Sequence, residues 1–339
     1  ANWFFQNIIA TADEPVTSRD VSFLLLDPLC DGGQWDMFRS IVKKYGVVPK
    51  DAMPETHCSS NTGDMDAFLT RFLRAGAKAL RDMIAGGAGK EILAAKQAEL
   101  LAQFYRMLAI CLGEPPKSFE ARIRDKDDKL VVSGTFSPKQ FFDEYVGMNL
   151  DDYISVINAP TEDKPYYRSY SVRFLGNVAE DGGVHYVNLP VESLKRAAIA
   201  QLKGGLPVWF GCDVDQNYLQ DDGMMGISTM DADGLFGVPV MAGLDKAARL
   251  DYGESLMTHA MVFQGVNFDG EGKPTLWRVE NSWGKDHGHD GYDLMTDDWF
   301  SEYVYQVVVD RKYLTEDELA AYESASTPLA PWDPMGALA

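Results

Sequence analysis

His259 and Asn281 are the residues of this chain whose types and spacing could do chemistry together. His259 lies in Glu254-Ser-Leu-Met-Thr-His-Ala-Met-Val-Phe, a run that reads as a strand, and Asn281 ends a second one, Trp277-Arg-Val-Glu-Asn-Ser-Trp-Gly. Between them, Gly265 to Pro274 carries Asn-Phe-Asp-Gly-Glu-Gly-Lys, whose glycines mark a hairpin loop. A hairpin sets the two residues side by side, so that the Asn281 carbonyl orients the imidazole. Trp283 then covers that hydrogen bond and keeps water from competing for it. A lone histidine in an apolar strand is more often a satisfied core residue, but Asn-Ser-Trp-Gly one hairpin later makes this one specific. An oriented histidine is the base half of a nucleophile–base pair. The other half is expected to be a cysteine, and none here has the context for it.

The elements that must hold this pair come late. After Asp151 the texture is strand-rich: 153–157, 166–174, 208–212, 256–266, 275–281 and 303–309 read as strands, interrupted by one helix over 190–203. A last helix covers 315–323, and 324–339 is a proline-broken tail. The front is helical. Residues 1–10 form an amphipathic helix, 21–26 an apolar run, and Trp35, Phe38, Ile41, Val42 and Tyr45 share one face of a helix over 34–45. Residues 64–85 and 90–112 form an αα-hairpin across Gly86-Gly-Ala-Gly. A β-hairpin follows over 119–136, and Ser137-Pro138 caps a short helix. An α-rich front and a β-rich back imply two lobes with a cleft between them.

Composition excludes several functions. The net charge of −20 repels phosphate backbones and anionic lipid, which argues against nucleic acid as a partner. The longest apolar run noted, Met107 to Leu112, is far short of a bilayer span, so no membrane partner is expected. The four cysteines share no short metal-ligand spacing and read as buried free thiols of a reducing compartment. Asp286-His-Gly-His-Asp290 offers imidazoles two apart, yet its glycines argue for a surface loop rather than a metal site. Asp231-Ala-Asp-Gly lacks the distal glutamate of a calcium loop. No metal and no cofactor are expected. The start, Ala1-Asn-Trp-Phe-Phe, has the look of a helix interior, and we expect a truncated or processed front.

Longer segments narrow the reading. The chain contains Asp31-Gly-Gly-Gln-Trp-Asp-Met, Lys44-Tyr-Gly-Val-Val-Pro-Lys, Val208-Trp-Phe-Gly-Cys-Asp-Val, Gly253-Glu-Ser-Leu-Met-Thr-His-Ala-Met, Arg278-Val-Glu-Asn-Ser-Trp-Gly, Asp297-Asp-Trp-Phe-Ser-Glu-Tyr-Val-Tyr and Pro331-Trp-Asp-Pro-Met-Gly-Ala-Leu-Ala. Together they resemble the bleomycin hydrolase and bacterial aminopeptidase C family of papain-like cysteine peptidases, from residue 1 to the last. The resemblance implies an α+β papain-like fold in two lobes with a helical insertion, the front of the α-rich lobe missing. Its parts are residues 1–55 of the α-rich lobe, the insertion at 56–150, the β-rich lobe at 151–314, and a C-terminal helix and arm at 315–339.

The same resemblance implies a cytoplasmic homohexamer that hydrolyses peptides from the amino terminus through a thioester. His259 acts as base and acid, Asn281 orients it and Trp283 supports them. Gly32 and Gly33 offer backbone to an extended substrate, although any Gly-Gly can equally be a tight turn. Ala339, at the end of an arm reaching into the cleft, binds the substrate's ammonium. One departure stands against this. The family's nucleophile lies in a Gln-rich turn leading to Cys-Trp, and Cys30, Cys58, Cys111 and Cys212 all lack a following Trp. A non-catalytic, peptide-binding shell of the same fold is therefore the alternative.

Overall fold

The computed structural model describes residues 1–30 and 32–337. Its chain forms two compact units: 1–31, 36–150 and 174–183 make the first, and 32–35, 151–173 and 184–339 the second.

The first unit is built on helices. Asn2–Ala10 buries Phe4, Phe5 and Ile8 against the long helices Gly63–Ala85 and Lys90–Leu112. Leu69, Leu73, Ala77 and Leu80 recur at helical spacing and are almost wholly buried, so one stripe of this helix faces the core. Gly76 lets the Phe5 ring approach, since a methyl there would lie 2.8 Å from it. The apolar run at 21–26 is a helix, Arg19–Leu26, whose first turn is capped by the Ser18 hydroxyl. Strands β1 (Phe119–Arg124) and β2 (Leu130–Phe136) form an isolated antiparallel hairpin. Ser137 then caps the turn Pro138–Phe141 through a full capping box with Gln140. The segment 174–183 is tied down by polar contacts: Trp3 donates to the Phe174 carbonyl at 2.7 Å, and Ser40 donates to Asp181 at 2.5 Å.

The second unit is one eleven-stranded mixed sheet. Its strands are β3 (Tyr153–Ile157), β4 (Arg168–Val172), β5 (Tyr186–Asn188), β6 (Val208–Cys212), β7 (Tyr218–Leu219), β8 (Met224–Met225), β9 (His259–Phe268), β10 (Pro274–Glu280), β11 (Tyr292–Thr296), β12 (Val304–Asp310) and β13 (Thr327–Leu329). In space the order is β13-β4-β5-β3-β12-β6-β9-β10-β11-β8-β7. β12 is buried along six consecutive residues, as a central strand covered on both faces must be. The helix Val191–Lys203 lays Leu194, Ala197 and Ala198 into the same core. Phe210 stacks on Phe263 with ring centroids 3.8 Å apart, and Phe300 and Trp277 continue the stack. The Trp277 indole finds the polar partner that burial demands in Asp297, at 3.0 Å. These aromatic contacts clamp β6, β9 and β10 together and so fix the strands that end at His259 and Asn281.

Several elements differ from their sequence expectation. β9 runs on to Phe268, and the loop is only Asp269–Lys273, because the Asp269 carboxylate accepts from the Glu271 and Lys273 amides and tightens the turn. β5, β11 and the helix Asp297–Tyr303 carry no periodic signal in the sequence and form by pairing and burial. The tail is not simply extended. Thr327–Leu329 pairs in parallel with β4, and Pro334–Gly336 is a 3-10 turn capped by Asp333. Of the four cysteines only Cys212 is fully buried, whereas Cys58 and Cys111 are half-buried and Cys30 is exposed.

Candidate active site

His259 opens β9 and stands in register with Cys212 at the end of β6. The approach to it is held by polar groups, of which Asp213 and Ser255 are buried. Thr258 donates its amide to the Cys212 carbonyl at 2.9 Å, and its hydroxyl accepts from the Val214 amide at 3.1 Å. Asp213 accepts from Ser255 at 2.7 Å, and Ser255 in turn accepts from the Tyr305 hydroxyl at 2.6 Å. Burial raises the Asp213 carboxyl, against the opposing pull of its hydrogen bonds to Ser255, Gln216 and Thr258.

Asn281 follows the last residue of β10, and its amide donates to the Gly291 carbonyl at 3.2 Å. The hairpin brings the two side chains together: His259 Nε2 lies 3.0 Å from Asn281 Oδ1. A carbonyl oxygen accepts only, so Nε2 carries the proton and Nδ1 keeps the lone pair. The Asn281 oxygen also accepts from the Ser282 amide at 2.8 Å. Trp283 lies against the imidazole with centroids 5.1 Å apart and planes inclined by 31°, while remaining 42% exposed. The ring is thus fixed in tautomer and orientation, with one nitrogen free to take a proton.

Sequence reasoning missed the layer behind Asn281. Its Nδ2 donates to Asp293 Oδ2 at 3.2 Å, and Asp293, on β11, is completely buried. His287 Nε2 approaches Asp293 Oδ1 at 3.1 Å, and the Tyr218 hydroxyl meets the same imidazole nitrogen. The stretch 286–290 is a largely exposed loop, as expected, but it turns one side chain inward: His287 lies edge-on to Trp283 with centroids 4.8 Å apart. Nothing in the pattern Gly-Tyr-Asp-Leu-Met sets Asp293 apart from an exposed acid. Only once β11 is seen as a strand does alternation place Asp293 on the inward side with Met295. Among the described residues no group of three or more His, Cys, Asp and Glu side chains is arranged to hold a metal ion.

Gly32 and Gly33 belong to the second unit, in irregular backbone, and a methyl on Gly33 would meet nothing within 4 Å. The next residue, Gln34, is buried and donates to the Ala337 carbonyl at 2.6 Å, so the glycine segment and the tail are bonded neighbours. The tail is anchored again by Lys164, which meets Asp333 at 2.9 Å, and by the buried Met335. Ala339 lies outside the described residues, as does Asp31. Among the described residues, the only cysteine sharing a unit with His259 is Cys212. Burial pushes its thiol well up, and the charges of Asp213 and Asp215 push the same way, the opposite of what a nucleophilic thiolate needs.

Residues 1–336 match the family described as Peptidase C1-like. Aminopeptidase C of Streptococcus thermophilus is 50% identical over 339 residues, covering all of this chain and 76% of that protein. Aminopeptidase C of Lactococcus lactis subsp. lactis is 48% identical over 340 residues with the same coverage. Bleomycin hydrolase of Gallus gallus is 44% identical over 344 residues, covering 99% of this chain and 75% of that protein. The crystal structure of pepw from Lactobacillus rhamnosis superposes with a TM-score of 0.96 at 46% identity, over all of this chain and 76% of that one.

Proposed function

This chain belongs to the peptidase C1-like family, and we propose that it works as a cysteine aminopeptidase, hydrolysing peptides from the free amino terminus through a thioester. The observation that carries this reading is the hydrogen bond of 3.0 Å between His259 and Asn281 under the Trp283 ring. In the reaction His259 Nδ1 takes the proton of a thiol, and the imidazolium that results stabilises the thiolate. The thiolate attacks the peptide carbonyl, and the imidazolium then protonates the departing amine. Water, deprotonated by the same imidazole, cleaves the thioester. Asn281 keeps the ring in one tautomer throughout, and Trp283 excludes water from that bond.

The thiol in this scheme is the cysteine of a Gln…Cys-Trp segment, which the 339 residues do not include. Gly32 and Gly33 present backbone to the extended peptide, and the open space over Gly33 supports that role. The tail supplies the selectivity: the Ala339 carboxylate pairs with the substrate's ammonium. Its attachment through Ala337, Asp333 and Met335 supports a tail held in one place rather than frayed. Residues 56–150 form an insertion in the α-rich part of the fold. A homohexameric, cytoplasmic protein completes the reading, and four free cysteines are in keeping with a reducing compartment. No helix among the described residues is long and apolar enough to cross a membrane.

The test uses aminoacyl fluorogenic substrates. The chain as it stands should neither turn them over nor be labelled by a cysteine-directed epoxide. A version extended at its front by the Gln…Cys-Trp segment of an aminopeptidase C relative should do both. Labelling of Cys30 or Cys212 in the unextended chain, with turnover, would overturn the assignment.

A further inference from the structure

We propose that Asp293 is a positioning residue for the base: its carboxylate fixes which end of the Asn281 amide faces His259. The proposal rests on the reading that His259 and Asn281 act as a pair, and it concerns a side chain that touches neither substrate nor the His259 imidazole. An asparagine amide has two ends of nearly equal size and opposite polarity. For the orienting role only one arrangement works, because Oδ1 accepts from Nε2–H and leaves Nδ1 unprotonated, whereas the flipped amide would donate to Nε2 and force the proton onto Nδ1.

Two neighbours decide between the arrangements, since the third, the Tyr218 hydroxyl, can donate or accept and favours neither. The Ser282 amide donates to Oδ1 at 2.8 Å, and Asp293 Oδ2 accepts from Nδ2 at 3.2 Å. Flipping would set an NH2 against an N–H on one side and a carbonyl against a carboxylate on the other. Asp293 therefore contributes one of the two polar contrasts that hold the productive amide. It can do so because its backbone fixes it: it has no exposure and lies on β11 in register with Val279 of β10. Its other oxygen lies 3.1 Å from His287 Nε2 without a hydrogen bond.

Room for the carboxylate comes from the backbone around it. A methyl on Gly288 would lie 2.7 Å from Asp293 Oδ1, and one on Gly223 would lie 2.9 Å from it. Both glycines have positive φ, 52° and 58°, so a side chain at either is disfavoured twice. Burial, the Asp293 charge and a hydrogen bond to Asp293 push the Tyr218 phenol up, which keeps its proton in place beside the carboxylate. The titratable groups facing the assembly are thus His287 from the 284–291 loop, Tyr218 from β7, Asp293 from β11 and Cys212 from β6.

The experiment reads the tautomer of His259 in the chain as it stands, by long-range proton–nitrogen correlation of the imidazoles at a pH where they are neutral. The chain has five histidines, and His259 is assigned by its disappearance in His259→Gln. The wild type should show a single Nε2–H form. Asp293→Leu removes the acceptor and should move the ratio of the two tautomers toward Nδ1–H by about fivefold, the weight of one hydrogen bond. Asp293→Asn can still turn an oxygen to Asn281 Nδ2 and should restore the wild-type pattern, a rescue that general loosening of the core does not predict. An unchanged tautomer ratio in folded Asp293→Leu would overturn the proposal. Should that variant fail to fold, the wild type answers through the Asn281 side-chain NH2. Two well-separated, slowly exchanging protons support the bond to Asp293, and rapidly exchanging ones refute it. Because the readout needs no turnover, it stands apart from the test of peptidase activity.

Discussion

Behind Asn281, the buried carboxylate of Asp293 meets side chains; beneath the helix Lys246–Asp251, the buried ammonium of Lys246 meets backbone. Lys246 donates to the carbonyls of Ser301 at 2.9 Å and Val304 at 2.7 Å, and its charge lies 4.9 Å from the centre of the Tyr305 ring. Neighbouring Arg249 is paired with Glu302 and bonded to the Leu244 carbonyl. Lys246 therefore ties one helix to the turn between Asp297–Tyr303 and β12 through groups that every sequence possesses. The Asp293 cluster instead engages an amide, an imidazole and a phenol, whose identities matter. A buried charge answered by backbone is a fastening, whereas one answered by side chains around an imidazole belongs, on the proposed function, to the machinery. Substitutions at the first should change stability and spare the chemistry, and at the second they should change the chemistry first.

The largest effect expected is at His259. In the extended, thiol-bearing version His259→Ala should lower kcat by about a thousandfold or more, because the proton transfers lose their carrier. The melting temperature should hardly move, since His259 is only half-buried at a strand end. A matching collapse in stability would erase the distinction drawn between the two clusters.

Asn281→Ala comes next. It leaves the imidazole in place but frees its tautomer and tilt, and misplacement of this kind costs on the order of a hundredfold in rate. A loss as large as that of His259→Ala would mean that Asn281 does more than orient.

At the other cluster the readout is stability against pH. Burial pushes Lys246 down to about 7 from its ordinary 10.5. Below the lower value the ammonium is charged in both states and the full cost of burying it is present. Between the two values the unfolded chain binds more protons than the folded one, so the cost is relieved as pH rises. Relative to Lys246→Met, the wild type should gain about 2 kcal/mol across that window, less than the full shift implies because two carbonyls favour the ammonium. Chemical denaturation at several pH values gives the difference directly. A difference independent of pH would show that the carbonyls hold Lys246 charged throughout. Turnover in the extended version should be unaffected.

The smallest effect is expected at the tail. Burial alone would lower the Lys164 ammonium, but its hydrogen bonds to Asp163 and Asp333 leave it raised. Asp333→Ala removes one of those partners and the cap on the last turn, and should cost about 1 kcal/mol of stability. In the extended version it should also weaken the preference for free amino termini, measured with paired free and amino-blocked peptides. An undiminished preference would show that the tail's attachment at Asp333 does not serve selectivity.

Much of this was legible in the chain itself. The long helices over 63–85 and 90–112 declare themselves by apolar stripes at 3.6-residue spacing, and β3 and β6 by short β-branched and aromatic runs. The helix Asp297–Tyr303 and strands β5 and β11 did not. They are short, and their residues take their state from the sheet they join rather than from local preference. His259, Asn281 and Trp283 were readable because a hairpin is a local event: residues on two consecutive strands meet wherever the turn sets the register. Asp293, Tyr218 and His287 were not, because an acid, a phenol and a second imidazole carry no mark of the neighbours they will find. Sequence alone determined the long helices, the strongly patterned strands and the pair that a single hairpin assembles. Only the tertiary structure decided that β11, β7 and the 284–291 loop would close behind Asn281. That closure buries a carboxylate against an amide, and burial removes the water that would otherwise take its place.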